Sequence, residues 1–423
     1  MGAQEFDVIV YGATGFTGRL VAEYLQQTYG TEGDVRWAMA GRDITKLRTI
    51  SSQIGAPVNL TLIAADARDA NALEALAHRA RVIITTVGPY QLYGEPLLAA
   101  CVRAGTDYVD LCGEPNWMAA MIAKYDAQAK QSGARIVFSC GFDSIPFDLG
   151  VFYLQQRMRE RFGAAADVVR GRVRKMKGSF SGGTLASLLA SIDAAKRDPS
   201  IKRAMADPYA LSPQSIVPQP GGDKVLYDAD IPSWSTPFVM AAINTKNIHR
   251  SNALMGYAYG RGFTYDEMQL TGDGEDGKKR ANAAASQSRT QSAMLSFAPT
   301  RALLRRFALP KPGEGPSKEE RETGFYDIIF LGETAKGEKL TVSVKGDKDP
   351  GYGSTSKMIS EAAICLSDTS REQTPGGVWT PAAAMGASLV DRLQARSVLR
   401  FAVEDKDAPV RAYPLPPDYQ ASV

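Results

Sequence analysis

The segment Gly12-Ala13-Thr14-Gly15-Phe16-Thr17-Gly18 stands between an apolar run and an amphipathic stretch. In that setting, three glycines at three-residue intervals point to a dinucleotide-binding turn. The first allows a sharp strand-to-helix bend, the second lets backbone approach a pyrophosphate, and the third lets helix and sheet pack closely. The spacing is G-x-x-G-x-x-G rather than G-x-G-x-x-G. Ala40-Gly41-Arg42 closes the second apolar run. Where an acidic residue would accept from a ribose 2′-hydroxyl, Arg42 offers a fork of donors suited to a 2′-phosphate, which favours NADP over NAD. Asp43 is expected to cap the next helix, and Lys46 adds positive charge one turn later. Asp66 ends the third run, where an adenine contact competes with helix capping. Thr86-Val87-Gly88-Pro89 leads from the fourth run towards the nicotinamide.

Hydride transfer to a carbonyl, imine or conjugated alkene needs a polarising group and a proton source. Tyr90, Asp143 and Ser144 are the candidates. The stretch Cys140-Gly141-Phe142-Asp143-Ser144-Ile145-Pro146 follows the sixth apolar run and shares an edge with Tyr90 and Glu114. Helix capping is the competing role for Asp143 and Ser144, since Pro146 can start a helix. No tyrosine is followed four residues later by lysine, so the acid–base pair of short-chain dehydrogenases is absent. His78 reads as a solvated helical residue, and His249 has no evident role. Gly182-Gly183-Thr184 and Gly353-Ser354-Thr355-Ser356-Lys357 are glycine–hydroxyl turns suited to an anion or carboxyl group.

Six short apolar runs position these residues: Asp7–Gly12, Arg36–Gly41, Asn59–Ala65, Val82–Val87, Asp107–Cys112 and Arg135–Cys140. Amphipathic stretches separate them: Thr17–Gln27, Asp43–Gln53, Asp69–Arg79, Glu95–Ala104 and Asn116–Gln131. This alternation predicts βαβ units and an α/β fold: a Rossmann-type, doubly wound parallel sheet. Its ligands bind beyond the carboxyl ends of the strands. An inserted α+β second domain follows. Its expected parts are a helix over Asp148–Arg161, a half-wet strand over Val168–Lys177 and a helix over Ser179–Lys196. A long covering loop is expected over Asp198–Pro237, a polar loop over Gly272–Lys279, a helix over Ala281–Phe297 and a surface loop over Pro310–Thr323. Gly324–Gly332 and Lys339–Gly346 read as a hairpin, and Ser354–Ser367 and Pro381–Ala395 as helices. The expected division is 1–147 for the NADP-binding domain, 148–350 for the insert, 351–404 for helices returning to the first domain, and 405–423 for a Pro-rich tail.

Composition narrows the functional classes. With 49 Lys plus Arg against 46 Asp plus Glu, the net charge of +3 provides no broad field for nucleic acid. Four scattered cysteines and two histidines argue against a disulfide scaffold and a metal centre, and fit a reducing compartment. Neither a signal peptide nor a spanning helix is expected, so the chain reads as cytoplasmic. The arginine-rich apolar stretch Met294–Leu309 suggests peripheral membrane contact, a cover for a greasy substrate or an ordinary core helix. Arg170, Arg172, Arg174, Lys175 and Lys177 suggest either a dock for the carrier of a tethered acyl chain or one solvated strand face. A homodimer is left open.

The strings YGATGFTGRLVAEYL, AGRD, TTVGPYQLYGEPLLAACVRAGTDYVDLCGE and CGFDSIPFDLG resemble the saccharopine-dehydrogenase-like oxidoreductases, in their trans-acting enoyl reductase branch. SGGTLAS, DPGYGSTSKMISEAAICL and GGVWTPAAAMGASLVDRLQARS extend the resemblance along nearly the whole chain. It implies an NADP-binding Rossmann domain, an inserted substrate domain, and helices that return to the first domain. It also implies reduction of a double bond in an apolar, lipid or polyketide-like substrate. The alternative is a protein that binds NADP(H) as a sensor or scaffold without turnover, favoured by the lack of an obvious acid–base pair.

Overall fold

The computed structural model describes residues 4–178, 182–214, 217–297 and 314–404. The first third alternates strand and helix: β1 (Phe6–Tyr11), α1 (Phe16–Tyr29), β2 (Trp37–Gly41), α2 (Ile44–Gln53), β3 (Leu62–Ala64), α3 (Ala70–His78) and β4 (Ala80–Thr85). Next come α4 (Tyr90–Tyr93), α5 (Glu95–Ala104), β5 (Asp107–Val109), α6 (Pro115–Ser132), β6 (Arg135–Val137) and α7 (Ile145–Phe162). Asp43 and Asp69 start α2 and α3 by accepting backbone N–H groups of the first turn. Gly105, Gly133 and Gly163 end α5, α6 and α7 in the left-handed conformation.

The middle contains β7 (Val168–Lys177), α8 (Gly182–Arg197), α9 (Pro199–Ala206), β8 (Leu226–Asp228), β9 (Ser233–Pro237), α10 (Ala241–Leu254) and β10 (Thr264–Gly272). It continues through α11 (Gly274–Ser296), α12 (Lys318–Thr323), β11 (Phe325–Glu333) and β12 (Lys339–Gly346). A π-helical turn, Pro350–Ser354, leads into α13 (Thr355–Asp368), followed by β13 (Gly377–Trp379), α14 (Pro381–Ala395) and β14 (Arg400–Val403). None of the described helices is long and apolar enough to cross a membrane.

Two seven-stranded sheets result. The first is parallel, in the order β13-β6-β5-β4-β1-β2-β3. The second, β14-β12-β11-β7-β10-β9-β8, is mixed, with β7 and β10 its parallel pair. Both faces of the first sheet are covered, which is why the strand centres are apolar, while Asp7, Arg81, Asp107 and Arg135 fall at or near strand starts. Val8 and Val10 enter a core shared with Val173 and Phe330 of the second sheet, whereas Ile9 and Tyr11 enter one with Leu73, Leu98 and Trp117. The helix α7 joins the sheets, its Phe147 packing on both Phe238 and Phe330.

Several expectations are corrected. The apolar runs outlast β5 and β6, because the buried Asp110 carboxylate accepts the N–H groups of Cys112 and Ser139 and ends both ladders. Residues 110–112 and 138–140 thereby become loops at the carboxyl edge. The covering loop expected over Asp198–Pro237 contains α9, β8 and β9. The hairpin of β8 and β9 is anchored by Asp228, whose carboxylate lies 3.1 Å from Arg172 Nε. The Gly272–Lys279 loop shortens because Asp273 caps α11 at Gly274. The described part of Pro310–Thr323 ends in α12, started by a Ser317–Glu320 capping box. Residues 351–404 are not helices alone: β13 adds a strand to the first sheet and β14 one to the second. The tail 405–423 and residues 298–309 of the Met294–Leu309 stretch lie outside the described residues.

Candidate active site

The glycine turn has the shape of a phosphate cradle. Gly12 adopts φ +87, and a methyl group there would sit 2.6 Å from Val87 Cγ2. At Gly18 it would lie 2.2 Å from the Gly12 carbonyl oxygen, so α1 packs on the turn through a missing side chain. Gly15 is exposed and begins α1 with no side-chain cap, leaving first-turn N–H groups without a side-chain acceptor. Ala13 is buried beneath the turn, while Thr14, Phe16 and Thr17 are half-buried around it. This open bend, without side chains at its three glycines, fits the pyrophosphate of a dinucleotide.

At the end of β2, Arg42 is exposed, and among the described residues no hydrogen bond holds its guanidinium. Asp43 accepts from the N–H groups of Thr45 and Lys46 and so serves as the cap of α2. Asp66 does not cap α3; that role belongs to Asp69. Its carboxylate instead pairs with Arg68 at 2.8 Å. The hydrogen bond from Arg68, aided by the charge of Arg42, holds Asp66 well below the usual carboxylate range. Among the described residues, Arg42 and Lys46 at this end of the edge have no ion pair.

The segment after β4 is fixed at both ends. The Thr86 N–H donates to Tyr11 O and the Thr86 hydroxyl to Gly12 O, while Thr85 Oγ1 accepts from Val87 N–H. Gly88-Pro89 is a cis peptide. Beyond it, the two carboxylate oxygens of buried Glu114 accept the Tyr90 and Gln91 N–H groups, both at 2.9 Å. Glu114 went unrecognised as an anchor in the sequence; its placement after Gly113 was the available signal. Tyr90 is corrected from polarising group to strut. Its hydroxyl donates to Thr85 O at 3.2 Å and accepts from Leu111 N–H at 3.0 Å, and its ring lies against Trp117.

Asp143 and Ser144 diverge. Asp143 is half-buried, and among the described residues no hydrogen bond reaches its carboxylate. A methyl group on Gly113 would lie 3.1 Å from Asp143 Oδ2, which places this carboxyl where the loops after β5 and β6 meet. Burial pushes its pKa up to about 6. Ser144 is fully buried and makes no capping bond. Its Oγ donates to Asn244 Oδ1 at 3.1 Å and accepts from Asn247 Nδ2 at 2.6 Å, which ties α7 to α10. It is neither a cap nor a free hydroxyl.

Residues beyond position 147 cover the edge. The Tyr352 ring packs edge-on against Phe16 at 5.2 Å, and its hydroxyl lies 2.8 Å from that of Thr184. Gln91 Nε2 donates to Ser191 Oγ on α8, and Thr355 Oγ1 accepts from Phe142 N–H. The Gly353 turn is corrected as an anion site, since Asp349 already accepts the Tyr352 and Gly353 N–H groups. Residue 181 lies outside the described residues.

Two further features fall elsewhere. His78 is exposed on α3, and His249 is buried against Tyr209 with its pKa pushed down to about 4 by burial. The three arginines of the basic stripe on β7 are ion-paired within the chain: Arg170 with Asp230, Arg172 with Asp228 and Asp266, and Arg174 with Asp327 and Glu404. Lys175 and Lys177 of the same strand are exposed.

Comparison with known proteins agrees with this geometry. Residues 8–137 match the family model described as the saccharopine dehydrogenase NADP-binding domain. A Mycobacterium tuberculosis protein named provisionally as a trans-acting enoyl reductase is 40% identical over 422 residues, 93% of this chain and 97% of its own. The trans-acting enoyl reductase of Mycobacterium ulcerans is 37% identical, with 94% of this chain and 97% of that one covered. Apo saccharopine dehydrogenase (L-Glu forming) from Saccharomyces cerevisiae matches with a TM-score of 0.52 at 13% identity, over 95% of this chain and 100% of that one. At that identity the likeness is one of fold. NADP is the cofactor that the cradle and its family imply. The chain belongs to the saccharopine-dehydrogenase-like family of NADP-dependent oxidoreductases, in the branch that contains the trans-acting enoyl reductases.

Proposed function

We propose that the protein reduces a conjugated C=C bond of an apolar acyl or polyketide-like substrate, with C=O and C=N bonds as the chemically related alternatives. Asp143 carries this reading: it is a carboxyl with raised pKa and no hydrogen-bond partner among the described residues, held between two loops at the sheet edge where the nicotinamide of this fold belongs. The enoyl substrate class comes from the names of the relatives.

NADPH supplies the hydride when bound. The Gly12–Gly18 turn receives the pyrophosphate, Arg42 the 2′-phosphate, and the Asp66–Arg68 pair flanks the adenine. Thr86, Val87, Gly88 and Pro89 form the wall beside the nicotinamide, and Glu114 and Tyr90 hold that wall in place. Asp143 delivers the proton that completes reduction, while Ser144 positions it by locking the start of α7. Tyr352 and the α8 helix exclude water above the reacting bond. Residues 1–147 act as the cofactor unit and 148–350 as the substrate unit.

The test is NADPH oxidation by purified protein with a panel of medium-chain 2-enoyl thioesters, ketones and imines, the thioesters offered both free and carrier-bound. Oxidation with an enoyl thioester supports the reading. NADPH binding without oxidation across the panel would favour a sensor or scaffold.

A further inference from the structure

A cavity of about 640 Å³ opens between the end of α9, the Val217–Gly222 segment, the first half of α10 and β10. Its volume is in the range that holds a small organic ligand. Ala241, Ala242, Thr245 and Lys246 of α10 line it, whereas Asn244 and Asn247 bind Ser144. At 100° per residue these sets occupy opposite faces of the helix. The cavity and the Ser144 end of the reductase cleft therefore lie on opposite sides of α10.

The charges on its wall are unequal in their commitments. Asp266 pairs with Arg172 at 2.8 Å, and Glu267 accepts from Asn244 Nδ2 and the Tyr265 hydroxyl. Asp207 accepts from the Tyr209 N–H. Lys246 differs. It is only 3% exposed, and its Nζ donates to Met205 O at 2.9 Å and Ala242 O at 2.8 Å. Among the described residues no carboxylate lies within ion-pair reach of that nitrogen, and two acceptors leave one of its three N–H bonds undirected. Asp207, the opposite charge that acts on it, lies beyond ion-pair reach, and a buried ammonium so weakly countered is unfavourable unless an anion joins it. Burial accordingly lowers its pKa to about 8, against the opposing charge of Asp207. The lining mixes polar groups with the apolar side chains of Met205, Pro208, Val217, Pro218 and Pro220.

We propose that this cavity binds a small organic carboxylate with an apolar body, its carboxylate on Lys246 Nζ and its body against Pro208, Val217 and Pro220. The site is separate from the NADP cradle and does not depend on the reductase reading. Calorimetric titration of the full chain with octanoate, 2-naphthoate, octanol and inorganic phosphate tests it. Both carboxylates should bind, with octanol and phosphate weaker by roughly tenfold or more, about the worth of one charge-assisted hydrogen bond. Lys246→Met should lose a comparable factor for the carboxylates and leave NADPH affinity unchanged. Ala242 is exposed at the cavity rim, so Ala242→Phe obstructs the space without disturbing a core and should abolish carboxylate binding. Failure of both carboxylates to bind, undiminished binding to Ala242→Phe or Lys246→Met, or phosphate binding as tight as theirs would each overturn the assignment.

Discussion

The hydroxyls of Thr184 and Tyr352 lie 2.8 Å apart, and the Tyr352 ring rests edge-on against Phe16 of the phosphate turn. The start of α8 and the π-helical turn, 168 residues apart at this contact, are thereby joined beside the glycine turn. Tyr352→Phe keeps the ring contact and removes the bond. It should raise KM for the acyl substrate several-fold while NADPH affinity stays near wild type, as steady-state kinetics and fluorescence titration would report. An unchanged KM would separate this contact from substrate enclosure.

Arg42 stands at the ribose edge with no ion pair among the described residues. Arg42→Ala should weaken NADPH binding by roughly 10–100-fold, as expected for losing charge-assisted bonds to a phosphate. NADH, which has no 2′-phosphate, should bind almost as before. Equal losses for both cofactors, measured by titration, would contradict this role.

Ser144→Ala should act on stability more than on chemistry. It orphans Asn244 Oδ1 and Asn247 Nδ2 together, in a buried setting where Asn247 Oδ1 already lacks a partner among the described residues. Each unsatisfied group costs about 1–3 kcal/mol, so urea unfolding should show a clearly lower midpoint. A wild-type midpoint with strongly reduced turnover would return Ser144 to the catalytic set.

Much of the first sheet was legible because strands covered on both faces must be apolar at their centres, and Asp43 and Asp69 marked helix starts by their chemistry. The second sheet was less so. The hairpin of β8 and β9 sits among prolines and glycines and depends on Arg172 reaching Asp228 and Asp266, a long-range pairing with no local signature. Gly377–Trp379 is three residues long and becomes a strand only because β6 offers an edge. In the site, residue type and edge position brought Asp143 and Tyr90 forward together. Only the packing of Tyr90 on Trp117 and its bonds to Thr85 and Leu111 distinguish strut from acid.

Three buried carboxyls give stability a pH dependence. Burial raises Asp110 and Asp148 to about 7 and Glu267 to about 8, against ordinary values of 3.8 for the aspartates and 4.5 for the glutamate. Folded values above unfolded ones mean that the fold favours the neutral forms. Their contribution is fully present below the unfolded pKa and disappears as pH rises through 7 to 8. The thermal midpoint should therefore be lower at pH about 9 than at about 6, and Glu267→Gln should narrow the difference. A midpoint that rises over that interval would contradict the assignment.

The most direct test of the account is the pH profile of kcat on a 2-enoyl thioester for wild type and Asp143→Asn, with NADPH affinity measured in parallel. A proton donor works in its protonated form, so wild-type kcat should fall as pH rises through about 6, the value to which burial brings Asp143. Asp143→Asn should keep NADPH affinity, lose roughly 10²-fold or more in kcat and lose that descending limb. An Asp143→Asn protein with wild-type turnover and an unchanged profile would contradict the assignment of Asp143 as the proton source.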